Sequence, residues 1–545
     1  MNCQLKKDLA VRDNKLAPRA CGASAPPSTT PIHLTMSLCL LILAACLNPE
    51  VREVPAHDVL ASVRTAMGAD ALEAMAGGVH VSGSCHEHGV DGTFDFLFNR
   101  RGAFKHGVRS RIGEQVAFDG ETGWASDSSG LVRRTSFSAR ASSQGWLWVQ
   151  SGRWLAADSP FLITRREGLV DDGASIALHL VHRDAPWEAT LYVDSDSHLP
   201  RRLVRQRPAG ERVYSFDDWK GDLGFQYPHR VMVKNVAGDI STFEADEVAK
   251  APSFFRDPFE AIFRRPTDAV FDGAKPSRVE ARRMSTGHIV VHPTVGGKDL
   301  GWFILDSGAG AMCIDPGVAD ELGLEAFGEV SVVGTGGATP GRFRSGAILE
   351  LGPLRMPDIS WLELDTSFLE PFFGVPVAGV IGYEFFARAV VSLDLVAGQV
   401  EVHDPDQFKL DGEWQPLLLD DRIPCVQASF EGDRQDWFRL DTGSNDTVTF
   451  HAPTVERLEL LEGRKTYAAA HSGVGGTGHA RRGRLDWFEL SGVRMEDIDV
   501  SFSTSARSAL ATPFTAGNLG GGTLEAFKLV LDYGGERIAF LRRPE

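Results

Sequence analysis

Two short strings hold the side chains best suited to chemistry: Asp306-Ser307-Gly308 and Asp441-Thr442-Gly443. One Asp-Ser/Thr-Gly alone says little, since it suits many turns. Two become informative when they occupy equivalent places in a repeated unit, because equivalent residues can then meet across a twofold axis. Two carboxylates brought to about 3 Å cannot both ionise, so the pair holds one proton. The ionised member can take a proton from a water lying between them. That water can attack a peptide carbonyl while the protonated member supports the developing oxyanion. This chemistry requires no metal and no cofactor, and none is expected. Each glycine permits a tight turn with backbone close to the centre. The hydroxyls of Ser307 and Thr442 are expected to reach towards the opposite half and hold the loops rigid.

The elements that must position these strings do repeat. The segment IVVHPTVGGKDLGWFILDSGAG (289–310) aligns with IPCVQASFEGDRQDWFRLDTGSN (423–445). At an offset of 135, Gly297 meets Gly432, Trp302 meets Trp437, Phe303 meets Phe438, and Asp306 meets Asp441. Each copy reads strand, glycine turn, strand, then Asp-Ser/Thr-Gly. Further on, Arg355, Met356, Asp358 and Ile359 return as Arg494, Met495, Asp497 and Ile498. AGVIGYEFFARAVVSLDL (378–395) answers AGNLGGGTLEAFKLVLDY (516–533). Each copy thus supplies a late hydrophobic pair and glycine, Val380-Ile381-Gly382 and Asn518-Leu519-Gly520, with one polar position in the second. A period of roughly 137 residues marks a duplicated domain, not a solenoid.

The whole set resembles the aspartic peptidases, pepsin-like and especially the retropepsin-like bacterial members. The resemblance covers nearly half the chain. It implies an aspartic-type endopeptidase with two all-β lobes, 281–410 and 411–545, and with Asp306 and Asp441 as the catalytic pair. Its partner would be a peptide or protein substrate. Ser307, Gly308, Thr442, Gly443 and Ser444 would support the active-site loops. In the family, the residue after the glycine lies near the outer carboxylate oxygen. Ser444 is therefore expected to donate a hydrogen bond to Asp441, which Ala309 cannot do for Asp306. That makes Asp441 the more often ionised member.

Gly334, Gly336 and Gly337 in the first copy, and Gly473, Gly475 and Gly476 in the second, fall between the aspartate loop and the later strands. Gly473–Gly478 matches G-x-G-x-x-G, but a strand-like RRGRLDWFEL follows where a dinucleotide site needs a helix. These segments resemble flaps, Gly-rich hairpins that cover bound peptide; the plain reading is ordinary hairpin turns. The fragment 281–545 holds both aspartates and is expected to retain activity. The competing readings are a catalytically inactive peptidase fold and a lipid- or lipoprotein-binding envelope protein.

Upstream, residues 56–76 have helical spacing, and from Val79 to about Val248 β-formers alternate between Gly, Asp and Pro. This predicts one helix followed by a large, mostly antiparallel sheet over 50–250. FDGETGW (Phe118–Trp124), LYVDSDSHLPRRL (Leu191–Leu203) and GFQYPHRV (Gly224–Val231) resemble the outer-membrane lipoprotein carrier family, whose fold is an open β-half-barrel around an apolar cavity. That implies a lipid or acyl-chain partner for this domain. The alternative is a scaffold with a filled core, and Trp124, Trp146, Trp148, Trp154, Trp187 and Trp219 suit either. Residues 251–280 read as a linker. The fold class is mainly β.

The run LCLLILAA (38–45) followed by Cys46 resembles the lipobox of bacterial lipoproteins, or is a chance apolar segment. The resemblance makes 1–46 a leader, Cys46 a lipidation site, and the bacterial cell envelope the location, either lipid-anchored to the membrane or periplasmic. No eighteen-residue apolar stretch is present. The composition, 43% hydrophobic and 24% charged, is that of a soluble globular chain. A formal net charge of −17 opposes non-specific nucleic-acid binding, so no nucleic-acid partner is expected. The seven cysteines form no CxxC pair and no zinc spacing, so neither a disulfide framework nor a metal site is expected. Cys313 and Cys425 are expected to pack as small buried hydrophobes.

Overall fold

Alternating β-formers with short polar turns favour antiparallel pairing of neighbours, and the first half of the chain follows that rule. The computed structural model describes residues 53–543 apart from Ala76, Asp172, Pro208, Ala209, Phe255 and Asp358. The expected leader and Cys46 lie outside the described residues. Glu53–Glu545 forms one compact unit, and the described chain is mainly β. No described helix is long and apolar enough to cross a membrane.

The first sheet has fourteen strands. One meander runs from Val79–Glu87 to Val132–Arg134 and another from Phe161–Arg166 to Ile240–Lys250. The two join where Ile240–Lys250 pairs antiparallel with Val79–Glu87, Phe243 opposite Cys85. The outer strands, Glu53–Pro55 and Val132–Arg134, do not pair with each other, so the sheet is open.

Helix His57–Met67 turns Val59, Val63 and Met67 inward, a four-residue spacing that makes one buried stripe, and stops at Gly68 with φ 67°. A second long helix, Phe137–Gln150, corrects the single-helix expectation. Its sequence, FSARASSQGWLWVQ, is rich in serine and has an internal glycine, so propensity gives little signal. Burial of Leu147, Trp148 and Val149 in the sheet's core holds it instead, with Ser136 accepting the Ala139 N–H at 3.2 Å as N-cap.

Phe96, Phe98, Phe104, Leu178, Leu191 and Leu203 from both meanders share that core with the helices. Each such fully buried side chain contributes about 1.5–3 kcal/mol. Trp124, Trp148, Trp154 and Trp187 are buried, and Trp146 stacks on Tyr214.

Residues 251–280 are largely exposed and touch the sheets at a few points, with Phe259 and Val279 buried. Trp124 donates to the carbonyl of Phe259 at 2.7 Å, and Phe259 packs against Leu97 and Ala103. Val270–Phe271 pairs with Leu354–Met356 in the sheet that follows.

The second half builds the same arrangement twice. In the first lobe Trp302–Leu305 runs parallel to Val377–Ile381, which is antiparallel to Cys313–Ile314, itself parallel to Trp361–Glu363. In the second lobe Arg434–Leu440 runs parallel to Gly517–Leu519, which is antiparallel to Val448–Phe450, itself parallel to Val493–Ser503. A five-stranded sheet joins the lobes through Val390–Asp394 and Phe527–Asp532, Ser392 opposite Val530. Cys313 and Cys425 are free and buried.

Candidate active site

Asp306 follows strand Trp302–Leu305, and Asp441 follows Arg434–Leu440. Each is pinned by the parallel neighbour: the Asp306 N–H donates to Ile381 O and the Asp441 N–H to Leu519 O, both at 3.0 Å. The next residues interlock across the lobes. Ser307 N–H donates to Thr442 Oγ1 at 2.9 Å, and Thr442 N–H donates to Ser307 Oγ at 3.1 Å. Each hydroxyl passes its own proton across: Ser307 Oγ to Leu440 O at 2.9 Å, Thr442 Oγ1 to Leu305 O at 3.0 Å. All four bonds are buried, so rupture would strand polar groups without water.

The glycines let the carboxylates approach. A Cβ on Gly308 would lie 2.6 Å from Asp441 Oδ1, and one on Gly443 would lie 2.4 Å from Asp306 Cγ. Asp306 Oδ1 accepts N–H bonds from Gly308 at 2.7 Å and from Gly443 of the other lobe at 3.1 Å. The Gly443 carbonyl in turn faces His288 Nε2 at 3.0 Å.

The pair is not symmetric. Asn518 Nδ2 donates to Asp441 Oδ2 at 2.7 Å; at the matching place the first lobe has Val380. Arg439, buried two residues before Asp441, corresponds to Ile304. Burial, then the charge of Asp441, pushes the Asp306 carboxyl up to about 7. Burial also raises Asp441, but the Asn518 amide, the Gly443 N–H and Arg439 oppose the rise. The Asn518 amide and Arg439 thus favour the charged form of Asp441, as the Gly308 and Gly443 N–H groups favour that of Asp306.

The expected Ser444 donor is corrected. Ser444 Oγ accepts the Asp446 N–H at 3.4 Å, because the loop turns back towards Gly520, whose Cβ would lie 3.0 Å from that oxygen. Asn518 supplies the donor instead. Its signal in the sequence was the polar break in an otherwise hydrophobic pair.

The glycine-rich segments form two hairpins that meet. Gly334–Gly337 closes Glu325–Val333 onto Ala338–Ser345, with the Gly334 N–H on Gly337 O at 2.8 Å. Gly473, Gly475 and Gly476 close Tyr467–Gly473 onto Gly476–Leu490. Gly336 N–H donates to Val474 O at 3.0 Å. The side chain of Val474 packs with Ala309, Cys313 and Val380, next to the Asp306 loop. His471, on the second hairpin, reaches Asp446 at 3.5 Å, and Arg482 pairs with the same carboxylate.

The first sheet holds the site from behind. Asp127 accepts from Tyr383 Oη at 2.6 Å and from Arg133 at 2.9 Å, and the Tyr383 N–H donates to Ala309 O at 3.0 Å. It also holds the first hairpin: Asp239 accepts from Ser331 N–H at 3.0 Å and Ser331 Oγ at 2.8 Å, and the Glu329 N–H donates to His88 O at 2.6 Å. None of these contacts was foreseen from sequence. Among the described residues no cluster of His, Cys, Asp and Glu could hold a metal ion.

The sequence family described as aspartyl protease matches this chain twice, over residues 291–385 and 426–521. The two matched segments carry an aspartyl protease-like fold. No curated protein matches the sequence. Three solved structures resemble parts of it at low scores. One is a domain assigned to outer membrane lipoprotein sorting from Vibrio parahaemolyticus: 11% identity, 36% of this chain and 92% of that one, TM-score 0.27. Another is a DUF1329 family protein from Desulfovibrio piger: 13%, 38% and 97%, TM-score 0.28. The third is an aspartic proteinase from Irpex lacteus: 13%, 49% and 96%, TM-score 0.31. Likeness at these scores leaves the chemistry to rest on the residues themselves.

Proposed function

We propose that this protein is an aspartic endopeptidase that hydrolyses peptide bonds with water activated between Asp306 and Asp441. The observation that carries this reading is the reciprocal Ser307–Thr442 interlock, which brings two half-buried carboxylates together. A water bound between them loses one proton to the Asp441 carboxylate as its oxygen bonds to the scissile carbonyl carbon. The Asp306 proton passes to the carbonyl oxygen, giving a gem-diol. The C–N bond then breaks, the leaving nitrogen takes the proton from Asp441, and a diol hydroxyl returns one to Asp306. Asn518 and Arg439 favour the starting charge on Asp441. The glycine-rich hairpins act as flaps that exclude water and admit peptide on opening.

We further infer that the N-terminal sheet is a scaffold for the peptidase and not a lipid carrier. Its support is the helix Phe137–Gln150 and the buried tryptophans that occupy the core, together with the contacts to the first hairpin. The same reading sets the enzyme at the bacterial cell envelope, anchored by lipid on Cys46, on the strength of the lipobox-like string Leu43–Cys46 alone.

The test is cleavage of an unstructured peptide library by the full chain. Asp306→Asn and Asp441→Asn should each abolish it while leaving the circular dichroism unchanged. Full cleavage by either folded variant would overturn the reading.

A further inference from the structure

Asp441 lies at the half-buried end of a hydrogen-bond chain that the first lobe lacks. Asn518 donates to Asp441 Oδ2 at 2.7 Å, and Asn518 Oδ1 faces His451 Nε2 at 2.8 Å. His451 Nδ1 faces Thr515 Oγ1 at 3.2 Å and Thr515 O at 3.0 Å. His451 is wholly buried and stands at the N-cap position of helix Ala452–Arg457 without a side-chain capping bond. At the matching places the first lobe has Asp315, capping Pro316–Leu322, and Val380. The backbone is shared: Asp315 N–H donates to Ala378 O and His451 N–H to Ala516 O, both at 2.9 Å. The second lobe thus keeps the frame and replaces the side chains.

The proton count along this chain has few solutions. Burial, helped by the nearby Arg439 charge, pushes His451 down to about 4, so the ring is neutral and has one N–H. With that proton on Nε2, the ring donates to Asn518 Oδ1, the Asn518 amide donates to Asp441, and Thr515 Oγ1 donates to Nδ1. Asp441 must then be the acceptor, and the Thr515 carbonyl, 3.0 Å from Nδ1, receives no proton from the ring. With the proton on Nδ1, the ring donates to Thr515 O and Nε2 needs a donor. The Asn518 amide must then turn its nitrogen to the ring and its oxygen to Asp441, which requires a proton on Asp441. The tautomer of His451 and the seat of the dyad proton are therefore linked through one amide.

We propose that His451 and Asn518 are positioning residues that hold Asp441 as the ionised member of the pair, by delivering an N–H from the Nε2-protonated ring through the amide to its carboxylate. The proposal rests on the peptidase reading for its consequence in catalysis, but not for the hydrogen-bond chain itself. The other charged groups around it are Asp306, across the pair; Arg439, on the strand entering Asp441 and paired with Asp420 at 3.0 Å; and Asp446, on the loop after it. Arg439 favours the same state, and Asp306 and Asp446 oppose it.

Asn518→Val, which installs the residue of the first lobe, removes the donor. The acid limb of kcat/KM against pH should move up by on the order of one unit, with KM little changed. His451→Leu should move it the same way. His451→Gln, which keeps a side-chain N–H, should restore it at least in part. An unmoved acid limb in folded Asn518→Val and His451→Leu overturns the proposal. Should neither variant fold, the ring nitrogens of His451 in the intact protein decide, read by nitrogen-15 shifts of labelled histidine and assigned with His451→Gln. An Nε2–H ring near neutral pH supports the chain, and an Nδ1–H ring overturns it. If the intact protein cleaves no peptide, the peptidase reading fails, and the ring spectrum still decides this inference.

Discussion

Gly336 donates its backbone N–H to the carbonyl of Val474 at 3.0 Å, and so joins hairpins that rise from different lobes. On the proposed flap reading, this contact opens to admit peptide and re-forms on closure. A Cβ on Gly336 would stand 2.2 Å from the backbone of Gly476, and backbone cannot yield as a flexible side chain can. Gly336→Ala should hold the tips apart without disturbing the lobes. We expect kcat/KM to fall by about tenfold, ~1.4 kcal/mol, with an unchanged melting temperature. Wild-type kinetics in this variant would show that the tips do not gate the site.

The interlock makes a stability prediction. Thr442→Val keeps the shape but removes the acceptor of the Ser307 N–H and the donor to Leu305 O. Leaving these groups buried and unpaired should cost about 1–3 kcal/mol each. Ser307→Ala should behave alike. Because the two hydroxyls share one set of bonds, the double variant should lose less than the sum. Urea denaturation of the four proteins measures it, and additive losses would mean that the hydroxyls act independently.

The pH dependence has a definite sign. Asp306 is raised from 3.8 to about 7, by burial first and by Asp441 second. Between those values the folded chain keeps a proton that the unfolded chain has released. Stability should thus be full below pH ~4 as far as this group is concerned, and fall as pH rises towards about 7. Asp306→Asn removes the group and should flatten that slope in thermal melts at successive pH values. Activity needs the same proton, so the basic limb of kcat/KM should lie near 7.

The aspartates and their setting were legible because duplication writes the same residues twice at a fixed offset. The strand before each Asp, the late Ile381-Gly382 and Leu519-Gly520, and the glycine turns all carry local patterns. Asn518 was visible only as an exception. Its hydrogen-bond partner His451 lies 67 residues away, and no periodicity records such a pairing. The Ser444 donor failed because sequence places a hydroxyl next to a carboxylate but does not choose its rotamer. Helix Phe137–Gln150 escaped because tertiary burial, not propensity, holds it. The Asp239–Ser331 contact spans 92 residues and joins two unrelated sheets, so the sequence of neither foretells it.

That contact can be probed alone. Asp239→Ala removes both acceptors from Ser331 while leaving the strands of the first sheet paired. The hairpin Glu325–Ser345 should then exchange its amide hydrogens faster, with little change in the rest of the peptidase lobes. Equal exchange rates in the two proteins would show that Asp239 does not steady the flap.

The remaining prediction reverses an expectation drawn from sequence, that residues 281–545 suffice for activity. Arg422 of the second lobe pairs with Glu114 of the first sheet, stacks over Tyr383, and reaches Gly310 O at 3.4 Å. Tyr383 in turn donates to Asp127 at 2.6 Å while its own N–H holds Ala309. Leu131 of the first sheet lies in the peptidase core, fully buried. Cutting at 281 removes Glu114, Asp127 and Leu131 together. It also removes Ser136, which donates to the Asp420 that pairs with Arg439. Leaving the Tyr383 hydroxyl and one Asp420 oxygen without their buried partners costs about 1–3 kcal/mol each, a large share of the roughly 5–15 kcal/mol that holds a typical domain. The groups left behind adjoin the loop that carries Asp306, so the damage falls on the site itself. The fragment 281–545 should therefore unfold at lower denaturant than 53–545 and have a much lower kcat/KM. Asp127→Ala in the full chain should reproduce part of both effects by breaking the link to Tyr383 and Arg133. If 281–545 matches 53–545 in midpoint and in kcat/KM, the first sheet is no part of the enzyme's working structure.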